Sequence, residues 1–229
     1  MTPGEPVPAD GRPGRFITFE GPDGSGKTSQ AERLGATLEA EGHEVVLVRE
    51  PGGTALGERL RELLLHRTDL AIEPLPDALL FNAARAQLVS EVIAPALAAG
   101  NIVVCARFAD STLAYQGYGA GLDLGMLRQL EAIATGGLEP DLTILLDLPA
   151  EAGLLRKRRG RGTLTRFESD GGVGFDAEFH RRVRGGFLEL AAGQPRRWRV
   201  IDSTRSRTTV ASDVLAAVRS LWASQKGAA

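Results

Sequence analysis

The chain has 229 residues, 43% hydrophobic and 24% charged, with a formal net charge of -2, an ordinary globular composition too close to neutral for a general nucleic-acid binder. A single cysteine, Cys105, excludes an internal disulfide, and His43, His66 and His180 lack metal-ligand spacing. No apolar run approaches the ~20 residues that span a bilayer, and no signal-peptide pattern appears, so a cytoplasmic protein is expected.

Residues 1–14, rich in proline and glycine, read as a mobile tail, and residues 15–229 as a single domain. Arg15 to Glu20 is the first expected strand. Gly21-Pro22-Asp23-Gly24-Ser25-Gly26-Lys27-Thr28 follows and fits G-x-x-x-x-G-K-[ST], a phosphate loop between a strand and a helix. Its glycines admit backbone angles and close approaches that a side chain blocks. Its N–H groups turn inward around a phosphate chain, and the opening helix adds its own unpaired N–H groups. In this pattern Lys27 reaches the outer phosphates and the Thr28 hydroxyl faces a Mg²⁺ ion.

The first helix is expected from about Gly26 to Glu41, with Gly42 as its stop. Val45 to Val48 is wholly apolar, as suits a parallel sheet covered on both faces. Arg49-Glu50-Pro51-Gly52-Gly53-Thr54 follows that strand at its carboxyl end, where ligands of open α/β sheets bind. A helix from Ala55 to about His66 carries Arg59 and Arg61. Asp77 reads as the cap of a long helix, Ala78 to about Ala99, which Pro95 should bend or break. Phe81 and Arg85 share one face of it. On spacing alone they read as a core phenylalanine beside a solvent-facing arginine.

Ile102 to Ala106 is the third strand, with Cys105 buried in it. Arg107 and the stretch from Asp110 to Gly117 follow. Asp123 is expected to cap a helix ending near Thr135. Leu142 to Leu146 is the fourth strand. Arg156 to Arg161 is basic and Ser169 to Gly174 glycine-rich. Further elements are a helix from Asp176 to Ala192, a strand from Trp198 to Ile201 and a helix from Arg207 to about Ser224. Five strands alternating with helices indicate one α/β doubly wound parallel sheet.

A phosphate loop alone does not choose among kinases, GTPases, ATPases and passive binders. An Asn-Lys-x-Asp base-reading motif is missing. The ordered set from Phe16 into the loop, Arg49 to Thr54, Phe81 with Arg85, Arg107 through Ser111-Thr112 to Ala114-Tyr115-Gln116-Gly117, and Leu146-Asp147 resembles the thymidylate kinase family. The likeness runs from Phe16 to about Arg207. It implies the P-loop nucleoside-monophosphate-kinase fold, a five-stranded parallel sheet flanked by helices. It also implies phosphoryl transfer from ATP to dTMP, with Mg²⁺ as cofactor, in a homodimer.

By that resemblance, Gly21 to Thr28 hold ATP, with Thr28 and Asp23 near the metal and Asp23 also near the acceptor sugar. Glu50 and Pro51 border the dTMP site. Phe81 stacks on thymine and Arg85 hydrogen-bonds the base. Arg107, with Arg61, holds the acceptor phosphate. Thr112 and Gln116 contact the base, and Tyr115 packs near the deoxyribose, leaving little room for a 2′-hydroxyl. The basic run resembles the family's lid, about residues 156–174. No arginine stands in the phosphate loop, so the lid is expected to supply one, with Arg158, Arg161 and Arg166 as candidates. A solvated basic helix face is the competing reading of that run.

The chain departs from the family pattern at Ala106, where the family carries an aspartate before Arg107, and at Thr165, where it carries one before Arg166. The stretch Asp170 to Gly174 is extra. Ala106 keeps open a nucleotide-binding protein with little turnover, and a kinase for another nucleoside monophosphate is the third reading.

Overall fold

A computed structural model describes residues 14–67, 69–159 and 177–226. The expected tail lies outside that range apart from Gly14, as do the glycine-rich stretch, Arg161, Thr165 and Arg166. Five strands, β1 (Arg15–Glu20), β2 (Val45–Arg49), β3 (Ile102–Ala106), β4 (Leu142–Asp147) and β5 (Trp198–Asp202), form one parallel sheet in the order β2-β3-β1-β4-β5. The helices are α1 (Lys27–Ala40), α2 (Ala55–Arg61), α3 (Pro74–Leu88), α4 (Ala94–Ala98), α5 (Ala109–Thr112), α6 (Leu124–Thr135), α7 (Ala150–Arg159), α8 (Ala177–Gly193) and α9 (Arg207–Lys226). None of the described helices is long and apolar enough to cross a membrane.

Alternation along the strands divides the core into layers. Ile17, Phe19, Ile102, Val104, Ile144 and Leu146 pack under α1 and α9 with Leu34, Leu38, Val214 and Val218. Phe16, Val103, Cys105 and Phe108 turn the other way, against Leu88 and Ile93. Beside them Leu145 meets Phe179, Val183 and Phe187 of α8.

β1 to β5 and helices α1, α6, α8 and α9 match the expected segments within a few residues. Three local expectations change. β2 is an edge strand and only partly buried: Val45 packs on one face and Val46 and Val48 on the other, while Leu47 is 45% exposed. The helix expected from Ala78 starts at Pro74, whose ring suits a first turn. Asp77 is therefore not a cap: it is buried and accepts from Gln116 Nε2 at 2.8 Å. As expected, Pro95, which has no N–H, interrupts the helix, which loosens into a π turn, Val89–Ile93, before α4. Asp123 does cap α6, accepting from the Met126 N–H at 2.7 Å.

Candidate active site

β1 ends at Glu20, and the backbone then turns through Gly21, Gly24 and Gly26 at φ of 138°, 75° and 93°. These angles strain a residue with a Cβ, so the glycines set the loop's shape. The loop closes on its own lysine: Lys27 Nζ donates to the Gly21 and Pro22 carbonyls, both at 2.9 Å. The Thr28 hydroxyl stands exposed at the start of α1.

Arg107, directly after β3, has φ 75°, a left-handed conformation costing roughly 1–2 kcal/mol outside glycine. Its N–H donates to the Phe19 carbonyl at 2.9 Å, and its carbonyl accepts from Cys105 Sγ at 2.9 Å. The side chain then crosses to the phosphate loop. Arg107 Nη2 lies 2.5 Å from Asp23 Oδ1 and 3.1 Å from the Tyr115 hydroxyl, which donates to Asp23 Oδ2 at 2.8 Å. Arg107 Nη1 donates to Ser111 Oγ at 3.2 Å.

Glu20 braces this corner from below. Its carboxylate accepts from the Phe108 N–H at 2.7 Å and from Ser111 Oγ at 2.6 Å. Deeper still, Asp110 is clamped by both Nη atoms of Arg197, at 2.7 and 2.9 Å. Asp110 is thus committed beneath the site and does not replace the carboxylate missing at Ala106.

Arg85 is 1% exposed and Phe81 half-buried, the reverse of the core-phenylalanine, surface-arginine arrangement. The guanidinium ends a set of buried acceptors: Glu50 at 2.8 Å, Asn82 Oδ1 at 3.0 Å, Thr112 Oγ1 at 3.1 Å and the Phe108 carbonyl at 3.2 Å. Glu50 thus turns its carboxylate to Arg85. Arg61 Nη1 donates to the Pro51 carbonyl at 2.8 Å.

These groups surround one cleft of about 810 Å³ along the carboxyl ends of the strands. Asp23 to Thr28 line one half, and Glu50, Pro51, Arg61, Phe81, Arg85, Arg107, Thr112, Tyr115 and Gln116 the other. Gly21 and Pro22 stand behind the lining and contribute the carbonyls that hold Lys27. The basic run divides: its first four residues end helix α7, and Arg156, Lys157 and Arg159 line the cleft. The first four residues of the expected lid are therefore helical.

Sequence reasoning missed Glu20, Gln30, Lys157, Ser203, Arg205 and Arg207. The last five line the cleft. The carboxyl-end rule, applied to β5, would have found Ser203 to Arg207. Nothing local separates Lys157 from the rest of the basic run; only the packing of Gly153 on the phosphate loop does.

The charges shift one another. Burial alone would raise the Asp23 pKa, but Arg107, Lys27, Lys157 and the Tyr115 hydroxyl hold it well below the usual carboxylate range. Lys27 is pushed down to about 7 by burial and by Arg107, with Asp23 and Glu20 opposing. Glu20 is pushed up to about 7 by burial and then by Asp110. Burial lifts the Tyr115 phenol well above its ordinary value.

A parallel sheet of this strand order, a phosphate loop after β1, and a cleft joining that loop to a second arginine-bearing half define a P-loop nucleoside-monophosphate kinase. Within that class the chain belongs to the thymidylate kinase family, whose model matches residues 19–214. It is 53% identical to the thymidylate kinase of Deinococcus radiodurans over 205 residues, covering 90% of this chain and 96% of that one. It is 52% identical to that of Thermomicrobium roseum, covering 89% and 93%. The crystal structure of thymidylate kinase from Ehrlichia chaffeensis superimposes with a TM-score of 0.73 at 36% identity, covering 90% of this chain and 99% of that chain.

Proposed function

We propose that this chain transfers the γ-phosphoryl group of ATP to dTMP, giving ADP and dTDP. The carrying observation is the Asp23–Arg107–Tyr115 triangle, which joins the phosphate loop to the Phe81–Arg85 half within one cleft. The named relatives support dTMP phosphorylation over a nucleotide binder without turnover.

In this reading the loop N–H groups and Lys27 hold the ATP phosphates, and Lys27 leaves its carbonyl partners for phosphate oxygens. Arg107, with Arg61, presents a planar fork to the acceptor phosphate. Phe81 stacks on thymine, with Arg85, Thr112 and Gln116 along the base edge. Tyr115, fixed by Asp23 and Arg107, excludes a ribose 2′-hydroxyl. The Pγ–O bond to ADP breaks as a dTMP phosphate oxygen takes its place, so catalysis is positioning plus charge neutralisation. Arg158, Arg161 and Arg166 remain the proposed lid arginines.

The residues fit a Mg²⁺ ion. This cation takes few protein ligands and completes its shell with phosphates and water. The exposed Thr28 hydroxyl would be its first ligand, with Asp23 of the same loop nearby, and among the described residues no cluster of three His, Cys, Asp or Glu side chains would hold the ion alone. Bound there, the ion would supply charge neutralisation for the ATP phosphates.

The protein acts as a cytoplasmic homodimer in this proposal. Leu56 of α2, Leu75 and Leu79 of α3, and Met126 and Ile133 of α6 are exposed on helices that pack in one layer, with Ile133 81% exposed. Light scattering at the dimer mass is expected; a monomer at micromolar concentration contradicts it. A coupled assay with ATP-Mg²⁺ and dTMP, dCMP, UMP or AMP tests the reaction. Preference for dTMP is expected, and preference for any other acceptor sinks the assignment.

A further inference from the structure

Helix α7 is braced against the phosphate loop, backbone to backbone. A Cβ on Gly24 would collide with the Gly153 carbonyl, and one on Gly153 with the Asp23 carbonyl. Residues three and four positions along a helix share a face. Arg156 and Lys157 therefore stand on the loop side of α7, one turn beyond Gly153, and both line the cleft.

The two cations serve different places. Arg156 Nη2 donates to the Ser203 carbonyl at 3.0 Å, in the turn after β5. Lys157 is half-buried between the exposed Arg156 and Arg159. Its charge reaches the loop, holding down the pKa of Asp23 and of Lys27. A solvated helix face would do neither.

The loop offers no cation besides Lys27, one ammonium against the several negative charges of the ATP phosphates. On the reading proposed above, we infer that Lys157 is a further catalytic residue whose ammonium binds the outer phosphates of ATP. As the Pγ–O bond to ADP breaks, negative charge gathers on the departing oxygen and on the transferring group, and Lys157 stabilises it there. The contact of Gly153 with Asp23 and Gly24 sets the cation in place before nucleotide arrives.

The test compares the unaltered chain with Lys157→Met and Lys157→Arg, and with Arg181→Met as a surface control. Steady-state kinetics, calorimetric affinities for ATP and ADP, and thermal midpoints are measured. Lys157→Met is expected to lower kcat roughly 10- to 100-fold, the scale of one charge-assisted hydrogen bond. KM for dTMP stays within about threefold, the preference for ATP over ADP falls by a similar margin to kcat, and the melting midpoint holds. Lys157→Arg restores most of the rate. A kcat within twofold with an unchanged ATP:ADP affinity ratio overturns the inference, as does a Lys157→Arg variant no faster than Lys157→Met. If the unaltered chain fails to phosphorylate dTMP, the functional reading falls, and the ATP:ADP ratio alone still decides the role of Lys157.

Discussion

Asp23 and Arg107 are bound to each other across the cleft, with Arg107 Nη2 2.5 Å from Asp23 Oδ1 in a site where both side chains are largely shielded from water. One belongs to the phosphate loop and the other to the end of β3, so this pair fixes the spacing between the two halves of the site. Burial would lower the pKa of the Arg107 guanidinium, but Tyr115, Asp23 and Glu20 hold it above its ordinary value, and in the proposed reaction the acceptor phosphate would meet a group already oriented. Arg107→Ala is expected to raise KM for dTMP at least tenfold and KM for ATP much less. Equal effects on both substrates in steady-state kinetics would contradict the assignment of Arg107 to the acceptor.

Arg85 and Glu50 form the most deeply buried ion pair among the described residues, with side chains 1% and 4% exposed. Removing one partner strands a charge in the core. Glu50→Ala should therefore cost about 3–5 kcal/mol of stability. Replacing both, as Arg85→Met with Glu50→Leu, should recover most of that loss. Urea unfolding of the single and double variants measures it. A double variant no more stable than the single one argues against the pair as the cause.

Glu131 faces inward from α6, 7% exposed, with Oε1 lacking a hydrogen-bond partner. Burial pushes its pKa from 4.5 up to about 8; Arg85 opposes that rise, while Asp110, Glu50 and Glu20 add to it. Between those two values the folded chain holds a proton that the unfolded chain has lost. The stability attached to this group is complete below about pH 4.5 and is lost as pH rises towards 8, at up to about 1.4 kcal/mol per pH unit. Glu131→Gln should flatten the stability profile over that window. Denaturation midpoints at pH 5, 6.5 and 8 decide it, and an unchanged slope counts against a protonated Glu131.

Ala106 is 5% exposed, lines the cleft and lies in register with Phe19 of β1 and Arg49 of β2. A carboxylate here would stand beside Arg107, where in the proposed reaction it would order the guanidinium and the metal shell. Ala106→Asp should raise kcat tenfold or more, about 1.4 kcal/mol of transition-state stabilisation. A coupled assay of both forms at saturating ATP-Mg²⁺ checks it. An unchanged rate removes any catalytic role from this position.

Much of this protein follows from local sequence. The run from Phe16 to Thr28 specifies strand, turn and helix by apolar content, glycine placement and the Lys-Thr pair, all of which act over a few residues. The five-strand parallel sheet follows from the same kind of periodicity, and Asp123 caps α6 as its position before an apolar-periodic segment demands. What neighbouring residues do not determine is which polar group meets which across the sheet. Asp77 has the local look of a cap yet accepts from Gln116, 39 positions away. Arg85 looks solvent-facing on helix spacing yet is buried because Glu50, 35 positions earlier, offers a carboxylate there. Lys157 reads as part of a basic run until Gly153 is seen against Asp23 and Gly24. By itself the sequence determined the phosphate cradle and the sheet that presents it, because both depend on backbone angles and alternation within short segments. Only the tertiary structure decided how the charges pair, because the stability of a buried charge depends on partners that chain folding brings from distant positions.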